Sequence, residues 1–188
     1  MNTTFFENLR AYILSGHALL VVRTPEKFRF TEELCAAAKS ISRADKALGR
    51  SVFSWSIACG WQCEALHHPD DVFKSEEKDP ALVAAQISQG PEDALYVLYD
   101  FDAYVKPQTY NMADVVISGL SNLRSAFAAS GRSVLLVGSN FDVPPQLAYD
   151  VTTLDFELPD ATEIETILKD VTSDHDVPLA VAKIRNEL

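Results

Sequence analysis

Five strand-length apolar segments, separated by stretches of helical periodicity or by turn residues, constrain this chain more than any other feature. Ala18 to Val22, Ala94 to Tyr99 and Val134 to Val137 are continuous apolar runs, the pattern of strands buried on both faces. Ser51 to Ile57 alternates Val52, Ser54 and Ser56 with Phe53, Trp55 and Ile57, which predicts a strand with one strongly buried face. Val151 to Phe156 supplies the fifth. Between them Phe30, Leu34, Ala38 and Ile41 fall at helical spacing, and Met112, Val116, Leu120, Leu123 and Phe127 form the clearest helical stripe. Strands alternating with helices over residues 18–156 predict right-handed βαβ units, hence an α/β fold of three layers: a largely parallel five-stranded sheet with helices on both faces.

Local signals place the ends of these elements. Thr4-x-x-Glu7 reads as a capping box opening a leading helix that Gly16 stops. Asp79 and Pro80 start a short helix to Gln89, and Gly90-Pro91 closes it. Asn111 and Gly131 suit the cap and stop of the long stripe. Gly60 to Asp79, dense in charge and turn residues, reads as an exposed loop. Asp160-x-x-Glu163 caps a helix carrying Ile164, Ile167, Leu168 and Val171, and Pro178 begins a last segment. The expected division is a core over residues 1–158 and a partial helical lid over 159–188.

Composition excludes several function classes. With 47% apolar residues in 188, the chain can bury one domain. Sixteen Lys and Arg against twenty-seven Asp and Glu give −11, which repels a phosphate backbone, so no nucleic-acid partner is expected. Residues 1–50 hold eight basic and five acidic groups (+3), leaving −14 for the rest. No apolar run approaches the roughly 20 residues that cross a bilayer. Three cysteines make no disulfide framework, so a reducing, cytoplasmic location is expected.

In parallel α/β sheets the functional groups gather at the carboxyl ends of the strands. Here those ends hold Arg23, Thr24, Lys27 and Arg29, then Asp100 and Asp102, then Asn140. "ALYVLYDF" (94–101) resembles a Walker B strand, "SVLLVGSN" (133–140) resembles the strand ending in a sensor-one asparagine, and "LDFELPDATEIETIL" (154–168) resembles the last core strand and the start of a lid. Thr24-Pro25-Glu26 with Arg29, "VFSW" (52–55) with Gly60, Asp100-Phe101, and "VPPQL" (143–147) before "LDFELP" (154–159) occur in order. On these cues the chain resembles the degenerate N-terminal AAA+-like module of the AAA+ ATPase family named after hypothetical chloroplast reading frame forty-six. The resemblance implies a P-loop NTPase-like core and, in the family, a competent ATPase module following in the same chain.

The residues at the first strand-helix junction depart from an ATPase. Backbone amides of G-x-x-x-x-G-K-[ST] wrap phosphates, yet this chain reads "RTPEKFRFTEEL", with no glycine between Gly16 and Gly49 and no hydroxyl residue after Lys27. No catalytic residue is therefore assigned. The expected function is that of an inactive AAA+-like module working through protein contacts, as an adaptor, a regulatory subunit or the N-terminal part of an AAA+ ATPase. Its expected partner is an AAA+ module or a second copy of itself. The alternative is a nucleotide- or phosphate-binding protein, taking ATP or ADP with magnesium at a non-standard site of Arg23, Thr24, Lys27, Arg29, Asp100, Asp102 and Asn140.

Other groups have plainer readings. Asp100 and Asp102 at a strand end also arise from loop solvation, and Asn140 serves a turn. Cys59, Cys63, His67 and His68 form the only cluster with zinc-ligand chemistry, but the spacing lacks a distant second pair, and cysteines buried beside Trp55 and Trp61 are expected instead. Arg23, Lys27, Arg29, Lys39, Arg43, Lys46 and Arg50 make a basic region, ordinarily a solvated face.

Overall fold

The computed structural model describes residues 3–41, 49–73, 75, 77–159 and 164. Within them Thr3–Phe156 forms one compact unit. Its sheet contains β1 (Leu19–Arg23), β2 (Val52–Ser56), β3 (Gly60–Ala65), β4 (Leu95–Tyr99), β5 (Ser133–Gly138) and β6 (Thr152–Asp155) in the order β3-β2-β4-β5-β1-β6. Every neighbouring pair is parallel except β2 and β3, which form an antiparallel hairpin.

The sheet thus has six strands where five are expected, and the addition is β3, inside the segment read as loop. Gly60 at φ +70° permits the tight return, and Trp61 then pairs opposite Trp55. Beyond Trp61 the strand exposes Gln62, Cys63 and Glu64, because it lies at the sheet edge. An edge strand buries little, so its residues read as polar loop.

Alternation along the inner strands splits the core in two. Leu20, Val22, Leu95, Val97, Leu135 and Val137 face α1 (Thr3–Leu14) and α2 (Lys27–Ala38). Leu19, Val21, Tyr96, Leu98, Val134 and Leu136 face α3 (Pro80–Gln89) and α4 (Ala113–Ser130). This is the expected three-layer arrangement, with both faces of the central strands dry.

Three helix boundaries follow their expected signals. Gly16, at φ +90°, sits at C′ of α1; its N–H donates to Ile13 O and that of His17 to Tyr12 O, the two bonds of a Schellman motif. The Asp79 side chain accepts from Ala81 N–H, with Pro80 in the first turn of α3. Gly131, at φ +70°, ends α4. Two signals are displaced: α1 already includes Thr3 and Thr4, and α4 starts after Met112, one residue beyond Asn111. The helix expected after Asp160, the rest of the lid to Leu188, Arg43 and Lys46 lie outside the described residues, Ile164 excepted.

Arg50 does not belong to a solvated basic face. It is 3% exposed, donates from Nε to Ile41 O at 3.2 Å and from Nη1 to Gly131 O, and lies 3.9 Å from Asp93. A buried guanidinium persists because its donors are met by carbonyls and a carboxylate.

Candidate functional site

β1 lies inside the parallel ladder, between β5 and the edge strand β6, and the chain leaves its carboxyl end toward α2 while β5 connects past it to β6. Strand order reverses there, which is where open α/β sheets place their ligands. Only Thr24, Pro25 and Glu26 separate β1 from α2. Thr24, 1% exposed, donates its N–H to Gly138 O at 3.0 Å, and its Oγ1 accepts the Glu26 N–H at 3.0 Å. Pro25 has no N–H. The connection is a short, self-bonded turn whose two amides are already donated.

Lys27, the first residue of α2, extends its ammonium to the Asp100 carboxylate just beyond β4. Asp100 holds a left-handed backbone (φ +54°), and its N–H donates to Val137 O at 2.9 Å, which fixes the carboxylate at the strand ends. Thr31, one turn along α2, bonds the Tyr99 hydroxyl at the end of β4. Desolvation pushes the Tyr99 phenol up to about 12, against the lowering effect of the Thr31 bond. From the ion pair an open groove of about 1020 Å³ follows α2, lined by Phe28, Thr31, Cys35, Gln62 and Tyr99. Burial, reinforced by the charge of Glu64, raises the Cys35 thiol to about 11, so it stays protonated and weakly nucleophilic at neutral pH.

The remaining expected residues separate from this pair. Arg23 donates from Nε to Phe141 O at 3.3 Å and reaches 4.0 Å from Asp155. Asp102 lies 3.8 Å from Lys106, which also bonds Asp142 at 3.3 Å. Asn140 is exposed in the turn after β5. Arg29 turns into the α1/α2 layer, where it pairs with Glu26 at 2.7 Å and Glu33 at 3.5 Å and covers the Phe156 ring at 4.2 Å. Of the seven residues, the fold brings Lys27 and Asp100 into direct contact, sets Thr24 in the turn beside them, and sends Arg29 elsewhere.

Cys59 and Cys63 are exposed, which corrects the expectation of buried cysteines: Cys59 lies in the β2–β3 turn and Cys63 on the edge strand β3. Among the described residues no three His, Cys, Asp or Glu side chains are grouped to hold a metal ion. Among them, too, no helix is long and apolar enough to cross a membrane. Sequence reasoning did not single out Thr31 and Tyr99, although Lys27, Thr31 and Cys35 at i, i+4 and i+8 mark one face of α2.

A six-stranded, mostly parallel α/β sandwich, with its candidate residues at the carboxyl strand ends, is the architecture of an AAA-type module. The family model described as the SpoVK-like AAA ATPase N-terminal domain matches residues 5–156, and the chain belongs to that family. The chain is also similar to an uncharacterized AAA domain-containing protein, ycf46, of Trieres chinensis, at 27% identity over 119 residues. That alignment covers 62% of this chain and spans 22% of the relative's length.

Proposed function

We propose that this chain is a catalytically inactive AAA+-like module that acts in the cytoplasm through protein contacts, as an adaptor, a regulatory subunit or the N-terminal part of an AAA+ ATPase. The observation that carries the proposal is the β1–α2 turn. A phosphate cradle needs several inward-facing amides, often on glycine, at the start of this helix. Here one amide of the three-residue turn is absent and the other two are bonded to Gly138 and Thr24. The Lys27 ammonium at the start of α2 is held by Asp100. Glu26 in the same turn gives its carboxylate to Arg29. These residues do not fit a magnesium triphosphate. The partner in this reading is a competent AAA+ module or a second copy of the chain.

Purified chain should release phosphate from ATP at the no-enzyme background. Turnover above background that Asp100→Asn abolishes would overturn the proposal. Thermal unfolding with millimolar ATP or ADP and Mg²⁺ tests the alternative of a non-standard nucleotide site at Arg23, Thr24, Lys27, Asp100 and Asn140. A ligand at 100 times its Kd adds about 2.7 kcal/mol of stability. An unchanged midpoint supports the contact-only reading; a rise lost in Lys27→Ala supports nucleotide binding.

A further inference from the structure

β3 ends the sheet, and among the described residues no strand pairs with its outer side, so its outward N–H and C=O groups are available to another chain. Of the devices that commonly blunt an edge, the six residues from Gly60 to Ala65 contain no proline or lysine, and they carry one charge, Glu64, at the register shift opposite Val52 and Phe53. The face of this edge toward α3 and α4 carries a groove of about 690 Å³, walled by Phe53, Trp61, Cys63, Leu66, Val72 and Phe73. Leu66 is 52% and Val72 67% exposed, an apolar rim facing water. Asp71 also lines the groove, and its Oδ2 is buried without a hydrogen-bond partner. An acceptor left this way favours an incoming cationic donor. The surroundings agree in sign: the described residues between 60 and 79 hold five acidic groups against one basic, Lys78. Partial burial, then the charges of Glu64 and Asp71, raise the Cys63 thiol.

We propose that β3 is a docking edge for an extended basic segment of a partner protein, which adds to the sheet as a seventh strand and sets a lysine or arginine on Asp71. Backbone bonds to β3 supply affinity that does not depend on sequence. Side chains of an added strand alternate between faces, about 4.8 Å from Trp61 and Cys63, so every second residue meets the groove. An apolar residue fills it against the Trp61 and Phe73 rings, which pack edge to face at 4.7 Å, and a basic neighbour on the same face reaches Asp71. An acidic strand would meet Asp71 and Glu64 with repulsion. The docking edge lies two strands from β4 and the Lys27–Asp100 pair, so it stands whether or not the chain hydrolyses ATP.

The test is fluorescence anisotropy of the full chain with labelled peptides of roughly ten residues, the length of a long strand. One alternates valine and lysine, one carries the same residues with all lysines grouped at one end, and one alternates valine and glutamate. The alternating lysine peptide should bind saturably, at least about tenfold more tightly than the grouped peptide, and the glutamate peptide should not bind. Asp71→Asn and Cys63→Arg should each weaken the alternating peptide by about tenfold or more, the second by crowding the edge. Binding should also slow hydrogen exchange in residues 60–65. Equal affinity for alternating and grouped peptides, no binding of the alternating peptide, or full affinity in folded Asp71→Asn would each overturn the proposal.

Discussion

Replacing Arg50 by alanine probes the most heavily bonded buried charge in the core. Its guanidinium donates to Ile41 and Gly131 carbonyls and faces Asp93, while its own N–H donates to Ala38 O at 3.0 Å. The side chain therefore ties the end of α2 to the end of α4 and the entry to β4. The Arg50 side chain is 3% exposed and that of Asp93 11%, so water cannot readily replace the lost cation. Removing one member of a buried pair costs about 3–5 kcal/mol, because the other charge stays behind unpaired. For a unit of this size each kcal/mol moves the midpoint by about 2–4 °C, so Arg50→Ala should unfold on the order of 10 °C earlier. Asp93→Asn keeps an acceptor in place and should cost less, about 1–3 kcal/mol. The double variant should lose less than the sum of the two, since the second change removes the charge the first one stranded. Urea unfolding followed by circular dichroism gives all four corners of the cycle. A loss below about 1 kcal/mol for Arg50→Ala, the range of exposed pairs, would refute the reasoning.

Two further outcomes follow from the packing. Phe156 meets Phe5 at 5.0 Å and Phe30 at 5.5 Å and lies under Arg29, so Phe156→Ala should cost about 3–5 kcal/mol in urea unfolding; a change under about 1 kcal/mol would mean the cluster is not packed in solution. Absorbance at 295 nm should show Tyr99 still protonated well above the ordinary tyrosine range, with Tyr96 also delayed, because burial raises both. Their folded values exceed their unfolded ones, so the associated stability is complete below about pH 10 and falls as pH rises toward 12. Ionisation of all tyrosines together near pH 10 in folded protein would contradict this.

What the sequence revealed, and what it hid, has a consistent physical basis. The inner strands were legible because burial on both faces leaves unbroken apolar runs such as "LLVV" and "SVLLV". Gly16, Asp79 and Gly131 were legible because caps act within a few residues of themselves. β3 was not: an edge strand that exposes Gln62, Cys63 and Glu64 has the composition of a loop, and only its pairing with β2 reveals it. Arg50 counted as one more surface cation because a formal charge does not say which carbonyls will surround it. The Lys27–Asp100 contact joins residues 73 apart in sequence, one at the start of α2 after β1 and one just beyond β4, with β5 between those strands, and no local pattern encodes it. The absence of a phosphate loop, by contrast, could be read directly from "RTPEKF".

The place of β1 between two strands made much later also sets a timetable for synthesis. Leu19–Arg23 is among the first segments made, yet both neighbours in the ladder, β5 and β6, come from Ser133 onward, 133 − 23 = 110 residues later. At roughly 5–20 residues per second, this strand waits about 5–20 s on the ribosome before it can be flanked on either side. Through that interval Leu19, Leu20, Val21 and Val22 are hydrophobic backbone with two open edges, and α1 and α2 can cover one face at most. Emergence of β5 and β6, rather than of the first helices, is then the moment that decides between folding and aggregation, and a nascent chain stalled before Ser133 should depend strongly on chaperone protection.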